Sequence, residues 1–314
     1  MDECIPREIF QTIMNLMADF ELPIMLFVCQ EWKVIIKQLF INRLGPKRGF
    51  CENVALNGYL NLLVWGRSNG CPWDKWTSLN AASAGHFEVL KFALTDVRNW
   101  SSAINSRAAR GGHLDILKWL HSITYQFDDS CCSEAASGGH LKVLQWLRKK
   151  KCRWSEATCS SAARNGHLEI LEWAHSNGCQ WNESSCAGAA FGGHLNILQW
   201  LRAHDCPWDV WTCHYAANRG YFDILVWAFQ NGCPSNSNTL RSAINAGHLN
   251  IVKWLKEAGY HNDPTACGTA AIHGQLEILK WLIENNYPYQ LNELLYDARI
   301  NQYFHVISWL EEMK

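Results

Sequence analysis

Cysteine and histidine carry most of the reactive chemistry in this sequence, with 14 Cys and 13 His among 314 residues. Cys152, Cys159 and His167 recur in the same spacing as Cys179, Cys186 and His194. Thiolates and imidazoles are good zinc ligands, so a metal-dependent site is one reading. Two observations count against it. The chain has no C-x2-C pair, and each Cys or His returns only because a longer unit returns. The His position is also taken by Tyr221 and Gln275, with no evident replacement ligand nearby in sequence. No nucleophile–base pair stands out, and no G-x-x-x-x-G-K loop is present to cradle a phosphate. The expectation is a protein with no metal, no cofactor and no catalytic residues, hence not an enzyme.

The cysteines fall in two columns. Cys132, Cys159, Cys186, Cys213 and Cys267 share one repeat position; Cys71, Cys152, Cys179, Cys206 and Cys233 share another. Equivalent positions on stacked helices lie about 8–10 Å apart. A disulfide needs Cα atoms within roughly 7 Å, so bridges down either column are disfavoured and buried free thiols are expected. Arg148-Lys149-Lys150-Lys151-Cys152-Arg153 is the one dense basic run. It follows an amphipathic segment, where cations suit the exposed carbonyls of a helix end. A nuclear-import or anionic-partner patch is the alternative. Trp119, Trp146, Trp173, Trp200, Trp227, Trp254 and Trp281 form a column at helical spacing and are expected in the core. Trp73, Trp100, Trp154, Trp181 and Trp208 sit in turns and are expected to cover the edges of the stack.

The elements that position these residues follow from the period. GHLDILKWL at 112–120, GHLKVLQWL at 139–147 and GHLNILQWL at 193–201 are copies of one phrase, and weaker copies start at Gly58, Gly85, Gly166, Gly220, Gly247 and Gly274. Successive glycines are 27 residues apart. Self-similarity at such a period predicts a stack of helical units. In the unit 205–231, Cys206-Pro207-Trp208 reads as a turn and Asp209 as an N-cap. A first helix is predicted at Val210–Arg219, stopped by Gly220 because Gly takes φ > 0 without strain. A second helix is predicted at about Tyr221–Phe229. The Ala pairs 108–109, 135–136, 162–163, 189–190, 216–217 and 270–271 fall midway along the first helices and permit close packing. Leu195, Ile197, Leu198, Trp200 and Leu201 give the second helix a broad apolar face that only a neighbouring unit can cover. Ten units begin at Arg43, Gly70, Val97, Thr124, Lys151, Gly178, Asp205, Gly232, Gly259 and Asn286. The last is irregular: Asn301-Gln302 replaces the Gly turn, and Glu311 and Glu312 are expected to give its outer face a polar finish.

The units WTCHYAANRGYFDIL and SCAGAAFGGHLNILQWL resemble the ankyrin repeat in their Ala-Ala and Gly-His-Leu features. The resemblance spans about residues 43–314. It implies an all-α fold, an ankyrin-type helical solenoid of about ten repeats that are short at 27 residues, where the family period is typically about 33. The shortfall lies between a second helix and the next first helix, where the family has its β-turn finger. A shortened finger and a nearly all-helical array are therefore expected. Short units with a Cys-Pro-Trp turn resemble those of amoebae and of the large DNA viruses that infect them.

Residues 1–42 do not repeat. Pro6 suits a first helical turn, and Ile9, Ile13, Met14 and Met17 follow at helical spacing. The segment resembles the F-box: an apolar residue, Pro and Glu at Ile5, Pro6 and Glu8, apolar residues at Ile9 and Ile13-Met14, Leu22 in mid-box, and a Val-Cys-x-x-Trp ending at Val28, Cys29 and Trp32. Ile5 where Leu is more usual, and Pro23 inside the second helix, depart from that pattern. The resemblance implies a small three-helix module whose apolar surface, including Ile5, Pro6, Ile9, Leu22, Leu26, Val28 and Trp32, docks on the Skp-type adaptor of a cullin–RING ubiquitin ligase. A helical cap for the first repeat is the alternative.

Charge and hydropathy narrow the function further. The net charge is −1, with residues 1–42 near −3 and the remainder near +2, so no basic excess favours nucleic acid. No stretch approaches the ~18 uncharged apolar residues of a membrane span, and the acidic start is unlike a secretory signal. A monomer in the cytoplasm is expected, the host cytoplasm if the chain is viral, with the nucleus as the alternative. Positions facing a partner vary between units while structural positions do not. In the first helices the variable positions hold Trp76, Arg107, Arg110, Glu134, Arg164, Phe191, Trp211, His214, Tyr215, Asn218, Arg219, Arg241 and His273. Trp76, Arg110, Arg164, Phe191, Trp211, His214, Tyr215, Asn218, Arg219 and Arg241 are the expected target-binding residues, centred on Trp211-His214-Tyr215, because Trp, Tyr and Arg dominate interface hot spots. The expected function is a substrate receptor of an SCF-type ligase: a protein-binding array behind an adaptor-binding module. An ankyrin scaffold or inhibitor without a ubiquitin role is the alternative.

Overall fold

In a computed structural model of the protein, residues 49–313 are described, apart from 69, 97–100, 124–125 and 260–262. The F-box-like segment, with Ile5, Pro6, Ile9, Leu22, Leu26, Val28 and Trp32, and the turn residue Trp100 lie outside the described residues. Twenty helices and no strand occur among the described residues. They fall in two compact units, one ending at Arg153 and the other starting at Trp154. The first unit holds α1 (Phe50–Leu56), α2 (Leu60–Ser68), α3 (Lys75–Ala84), α4 (Phe87–Ala93), α5 (Ile104–Gly111), α6 (Leu114–Ser122), α7 (Asp129–Ser137) and α8 (Leu141–Lys149). The second holds α9 (Glu156–Arg164), α10 (Leu168–Ser176), α11 (Glu183–Gly192), α12 (Leu195–Ala203), α13 (Val210–Arg219), α14 (Phe222–Gln230), α15 (Ser237–Ala246), α16 (Leu249–Glu257), α17 (Ala266–Ile272), α18 (Leu276–Glu284), α19 (Leu291–Ile300) and α20 (Phe304–Glu312). Odd-numbered helices are the first of each pair and even-numbered helices the second.

Within each unit, successive first helices pack on one another and on their own second helices, while second helices touch each other less. Side-chain size explains the asymmetry. The six Ala pairs are fully buried between first helices and let those helices close up. Ile197, Leu198 and Leu201 are buried on the second helix, whereas Leu195 and Trp200 are half-buried.

The local signals act as the sequence predicts. The Asp209 carboxylate accepts from the Trp211 N–H at 3.0 Å and starts α13. Asp74, Asn182 and Asn236 cap their helices in the same way. Gly220 ends α13 at φ 78° and ψ 14°, with the Tyr221 N–H donating back to the Ala216 carbonyl at 2.9 Å. The second helix begins one residue later than expected, at Phe222, because Tyr221 supplies its capping carbonyl to the Leu225 N–H.

The residue after each Gly turn links one repeat to the repeat before it. His248 Nε2 lies 3.1 Å from the Asn218 carbonyl, a free carbonyl at the end of α13, and its ring sits against Gly220. A Cβ on Gly220 would come within 2.6 Å of that ring. His86 and His113 make the same contacts to Leu56 and Ser83 at 3.1 and 3.0 Å. Gln275 and Tyr221, which stand at the His position, make parts of the same contact. Gln275 Nε2 donates to the Asn245 carbonyl at 3.1 Å, and the Tyr221 ring covers Gly193. In the last repeat the two roles are divided: Tyr303 covers Gly274 and His305 bonds the Gly274 carbonyl at 2.9 Å.

The cysteines make a second set of links. Twelve described cysteines are free and buried. Cys152, Cys179, Cys206 and Cys233 donate their S–H to the carbonyls of Asp128, Ser155, Asn182 and Asp209, each the residue capping the first helix one repeat earlier. The same sulfurs adjoin Cys132, Cys159, Cys186 and Cys213. The two columns therefore meet each other, 20 residues apart, although neither closes on itself. Hydrogen bonding to the neighbouring thiol, followed by burial, pushes these first-helix thiols upward.

Two other expectations change. The Trp column is half-buried, since each indole lies at the rim of the stack. The turn aromatics cover it edge-on, as in Trp154–Trp173, Trp181–Trp200 and Trp208–Trp227. The outer face of the last repeat is not a purely polar finish. Glu311 pairs with Arg299 at 2.6 Å, but Tyr296, Ile300 and Phe304 are exposed beside them. There Gln302 takes the left-handed turn at φ 59° in place of glycine.

Two outcomes follow for stability. His248→Ala should cost about 1–3 kcal/mol by leaving the Asn218 carbonyl unbonded, and His248→Gln should retain most of that, as Gln275 does. Urea unfolding checks this; a Gln variant as weak as the Ala variant would assign the effect to the ring contact instead. Burial also pushes the Cys51 and Cys267 thiols up to about 12 from the ordinary 9.0. The fold thus holds these protons more tightly than the unfolded chain does. Stability is full below pH 9.0 and is lost as pH rises from there through about 12. In urea melts at stepped pH, Cys267→Ala should show a shallower alkaline loss than the parent chain.

Candidate functional site

The Cys and His columns cannot share a metal. The turn thiols sit at the start of the first helices and the His rings at their ends, about 15 Å apart for a ten-residue helix. Among the described residues, no group of three or more His, Cys, Asp or Glu is arranged to hold a metal ion. The chemistry of interest lies on the variable face of the first helices.

In the second unit, six of the expected target-binding residues converge. The Asp209 cap places Trp211 in the first turn of α13, where it is 49% exposed. Tyr215 follows one turn later, and the two rings lie 5.7 Å apart. Phe191, from α11, meets Tyr215 edge-on at 5.4 Å. Two guanidinium groups flank Phe191, one from each neighbouring repeat. Arg164 on α9 lies 3.8 Å from the ring centre and Arg219 on α13 lies 4.4 Å from it. His214 packs against Trp211 at 4.8 Å and lies 2.8 Å from Ser242 Oγ through Nδ1. Ser242 donates to the Asn238 carbonyl at 2.7 Å, so the imidazole donates to the serine. Burial lowers the His214 pKa, keeping the ring neutral at pH 7.

The remaining expected residues are placed differently. Arg110 is paired with Glu134 at 3.1 Å in the first unit, and Arg241 with Asp263 at 3.8 Å. Trp76 is 43% exposed in the first unit. The Asn218 carbonyl takes the His248 bond, which gives that position a structural role.

A groove of about 270 Å³ opens beside the cluster, lined by Ser160, Ser161, Arg164, Ser184, Ala187, Gly188, Phe191 and Tyr215. The small residues were missed because the comparison of repeats sought large side chains. Their signal lies in the same columns: Ser160-Ser161 and Ala187-Gly188 stand two repeats and one repeat before His214-Tyr215. Small residues in two repeats and large ones in the next leave a hollow with an aromatic wall. Gly188 also allows close helix approach, since a Cβ there would lie 2.9 Å from the Ser160 carbonyl.

Farther along the unit, Gly268-Thr269 repeat that small pair and line a second hollow of about 430 Å³ with Glu293, Asp297, Ile272 and Tyr289. Its charged groups are carboxylates, and burial raises the Asp297 pKa. The two hollows thus differ in sign. At the first, the guanidinium carbons are at most about 8 Å apart. Two such charges repel by ~0.5 kcal/mol in bulk water and ~2 kcal/mol at an effective surface dielectric near 20. An arrangement of exposed aromatics, arginines and hydroxyls can bind a protein surface but offers no activated nucleophile.

If this cluster is a site and not part of the core, Trp211→Ala should change the unfolding free energy by less than about 1 kcal/mol. Leu198→Ala, fully buried, should cost about 2–5 kcal/mol. Equal losses in urea melts would place Trp211 in the fold. Comparisons with known proteins bear on the array itself. Residues 213–293 match the family model for ankyrin repeats (3 copies). No curated protein matches the chain. Among solved structures, the human ASB11 ankyrin repeat domain is similar at 17% identity, over 56% of this chain and 96% of that one, with a TM-score of 0.44. No described helix is long and apolar enough to cross a membrane. Residues 213–293 of the second unit, built of helical pairs, are thus similar to ankyrin repeats.

Proposed function

We propose that the chain is a substrate receptor of an SCF-type, cullin–RING ubiquitin ligase. Residues 1–42 hold the Skp-type adaptor, residues 43–314 form the array, and the array holds a target protein. The observation that carries target binding is the surface cluster of exposed Arg164, Trp211 and Arg219 with half-buried Phe191, His214 and Tyr215, in which Trp, Tyr and Arg are residue types of interface hot spots. The observation that favours the adaptor is the F-box-like run Ile5-Pro6, Ile9, Leu22, Leu26, Val28 and Trp32. The receptor performs no chemistry. It raises the effective concentration of target lysines beside the ubiquitin-charged enzyme by tethering both.

Affinity purification of the full chain from its native cell tests both halves at once. Adaptor and target should co-purify. Deleting residues 1–42, or combining Val28→Asp with Trp32→Ala, should release the adaptor and leave the target bound. Trp211→Ala should do the reverse. A folded chain that captures a target and no adaptor, with the target never ubiquitinated, would replace this reading with an ankyrin scaffold or inhibitor.

A further inference from the structure

We propose that the Arg164–Phe191–Arg219 cluster reads an extended acidic peptide segment, with two carboxylates two residues apart and an apolar side chain adjacent to them. The proposal rests on the reading of this face as the target site and names what that face selects.

Three observations carry it. First, Arg164 and Arg219 have no carboxylate partner among the described residues, whereas Arg67, Arg110, Arg241 and Arg299 are paired with Asp96, Glu134, Asp263 and Glu311. Two like charges are thus held within about 8 Å of each other with no anion between them. Each guanidinium carbon lies over the Phe191 ring, and no described carboxylate engages its N–H fork, which can take a bidentate carboxylate.

Second, the spacing fits an extended chain. Residues i and i+2 of a strand project to one side about 6.5–7 Å apart, which falls within the limit of about 8 Å on the separation of the guanidinium carbons. Helical i and i+4 positions lie close to one another as well, but the groove has space beside the arginines for only one large side chain. At about 270 Å³ it is below the ~300–1,000 Å³ of small-molecule pockets.

Third, the groove has a one-sided electrostatic character. Its polar lining consists of Ser160, Ser161, Ser184, Tyr215 and Arg164, with no acidic side chain. An anion entering there meets the Arg164 guanidinium and no carboxylate. Trp211, Phe191 and Tyr215 supply the apolar surface for the adjacent side chain. The other hollow on this unit, lined by Glu293 and Asp297, would repel the same ligand, so selection is local and not a property of net charge.

Fluorescence anisotropy with the full-length chain tests this. The probes are fluorescein-labelled hexapeptides containing Glu-Ser-Glu-Ser-Leu, Gln-Ser-Gln-Ser-Leu, Lys-Ser-Lys-Ser-Leu and phosphoserine-Ser-Gln-Ser-Leu, in which the leucine projects to the same side as the charged pair. The Glu-Ser-Glu peptide should bind at least about tenfold tighter than the Gln and Lys peptides, and should weaken as salt rises from about 50 to about 500 mM. Arg164→Gln combined with Arg219→Gln should remove that tenfold preference, while Arg153→Gln should leave it in place. Circular dichroism establishes that the double variant is folded; if it is not, the discrimination by the parent chain decides. Equal or undetectable binding of all four peptides overturns the proposal, and tighter binding of the phosphoserine peptide than of the Glu-Ser-Glu peptide overturns its carboxylate assignment. A target captured from cells that is lost on Trp211→Ala, alongside peptides that show no discrimination, would leave the surface reading standing and the acidic assignment refuted.

Discussion

The structure depends on the contact between a glycine in left-handed conformation and the ring or amide that the next repeat lays on it. Gly220 turns the chain without strain, exposes the last carbonyls of α13, and leaves room for His248 to cover the turn and bond the Asn218 carbonyl. The arrangement satisfies a helix end that would otherwise need water. It also ties one repeat to the next, because the covering side chain and the turn it meets belong to different repeats. Gln275, Tyr221 and the Tyr303–His305 pair show that a planar cover recurs with more than one residue type, and that an N–H donor accompanies it at Gln275 and His305.

The thiols perform a similar task at the opposite end of the first helix. The S–H of a turn cysteine reaches back to the capping carbonyl of the repeat before, and its sulfur receives the first-helix thiol. Sulfur suits the place because it is small, apolar and still a weak donor. The two ends of α13 are therefore tied to the next repeat by different chemistry, and the Ala pair between them permits close approach. The helical scaffold is held by these regular links, so the columns outside them are free to vary without cost to the fold.

That freedom creates the candidate site. Where Ser160-Ser161 and Ala187-Gly188 precede His214-Tyr215, the face hollows and acquires an aromatic wall. Phe191 then holds two arginines that repel one another, which leaves the surface electrostatically unsatisfied. The repeat thus separates two jobs by position: invariant columns hold the stack, and variable columns shape and charge its surface.

The fold was legible in the sequence because a 27-residue period, an N-cap, an Ala pair and a Gly stop are local signals, each acting within a turn or two of helix. They fixed α13 to the residue and placed the turn aromatics over the second helices. Much of the candidate site was legible too, since Arg164, Phe191, Trp211, Tyr215 and Arg219 differ from their counterparts in other repeats. The hollow beside them was not, because small residues signify nothing until a larger neighbour stands next to them. The pairing of the two cysteine columns, the bond from each His to the preceding repeat, and the neutralised state of Arg110 and Arg241 were likewise hidden. Sequence by itself determined the helices, their order and the faces they bury, which depend on neighbours along the chain. Only the tertiary structure decided which thiols meet, which arginines lack an anion and which indoles stay half-exposed, because those outcomes depend on distances between residues 20 to 30 positions apart.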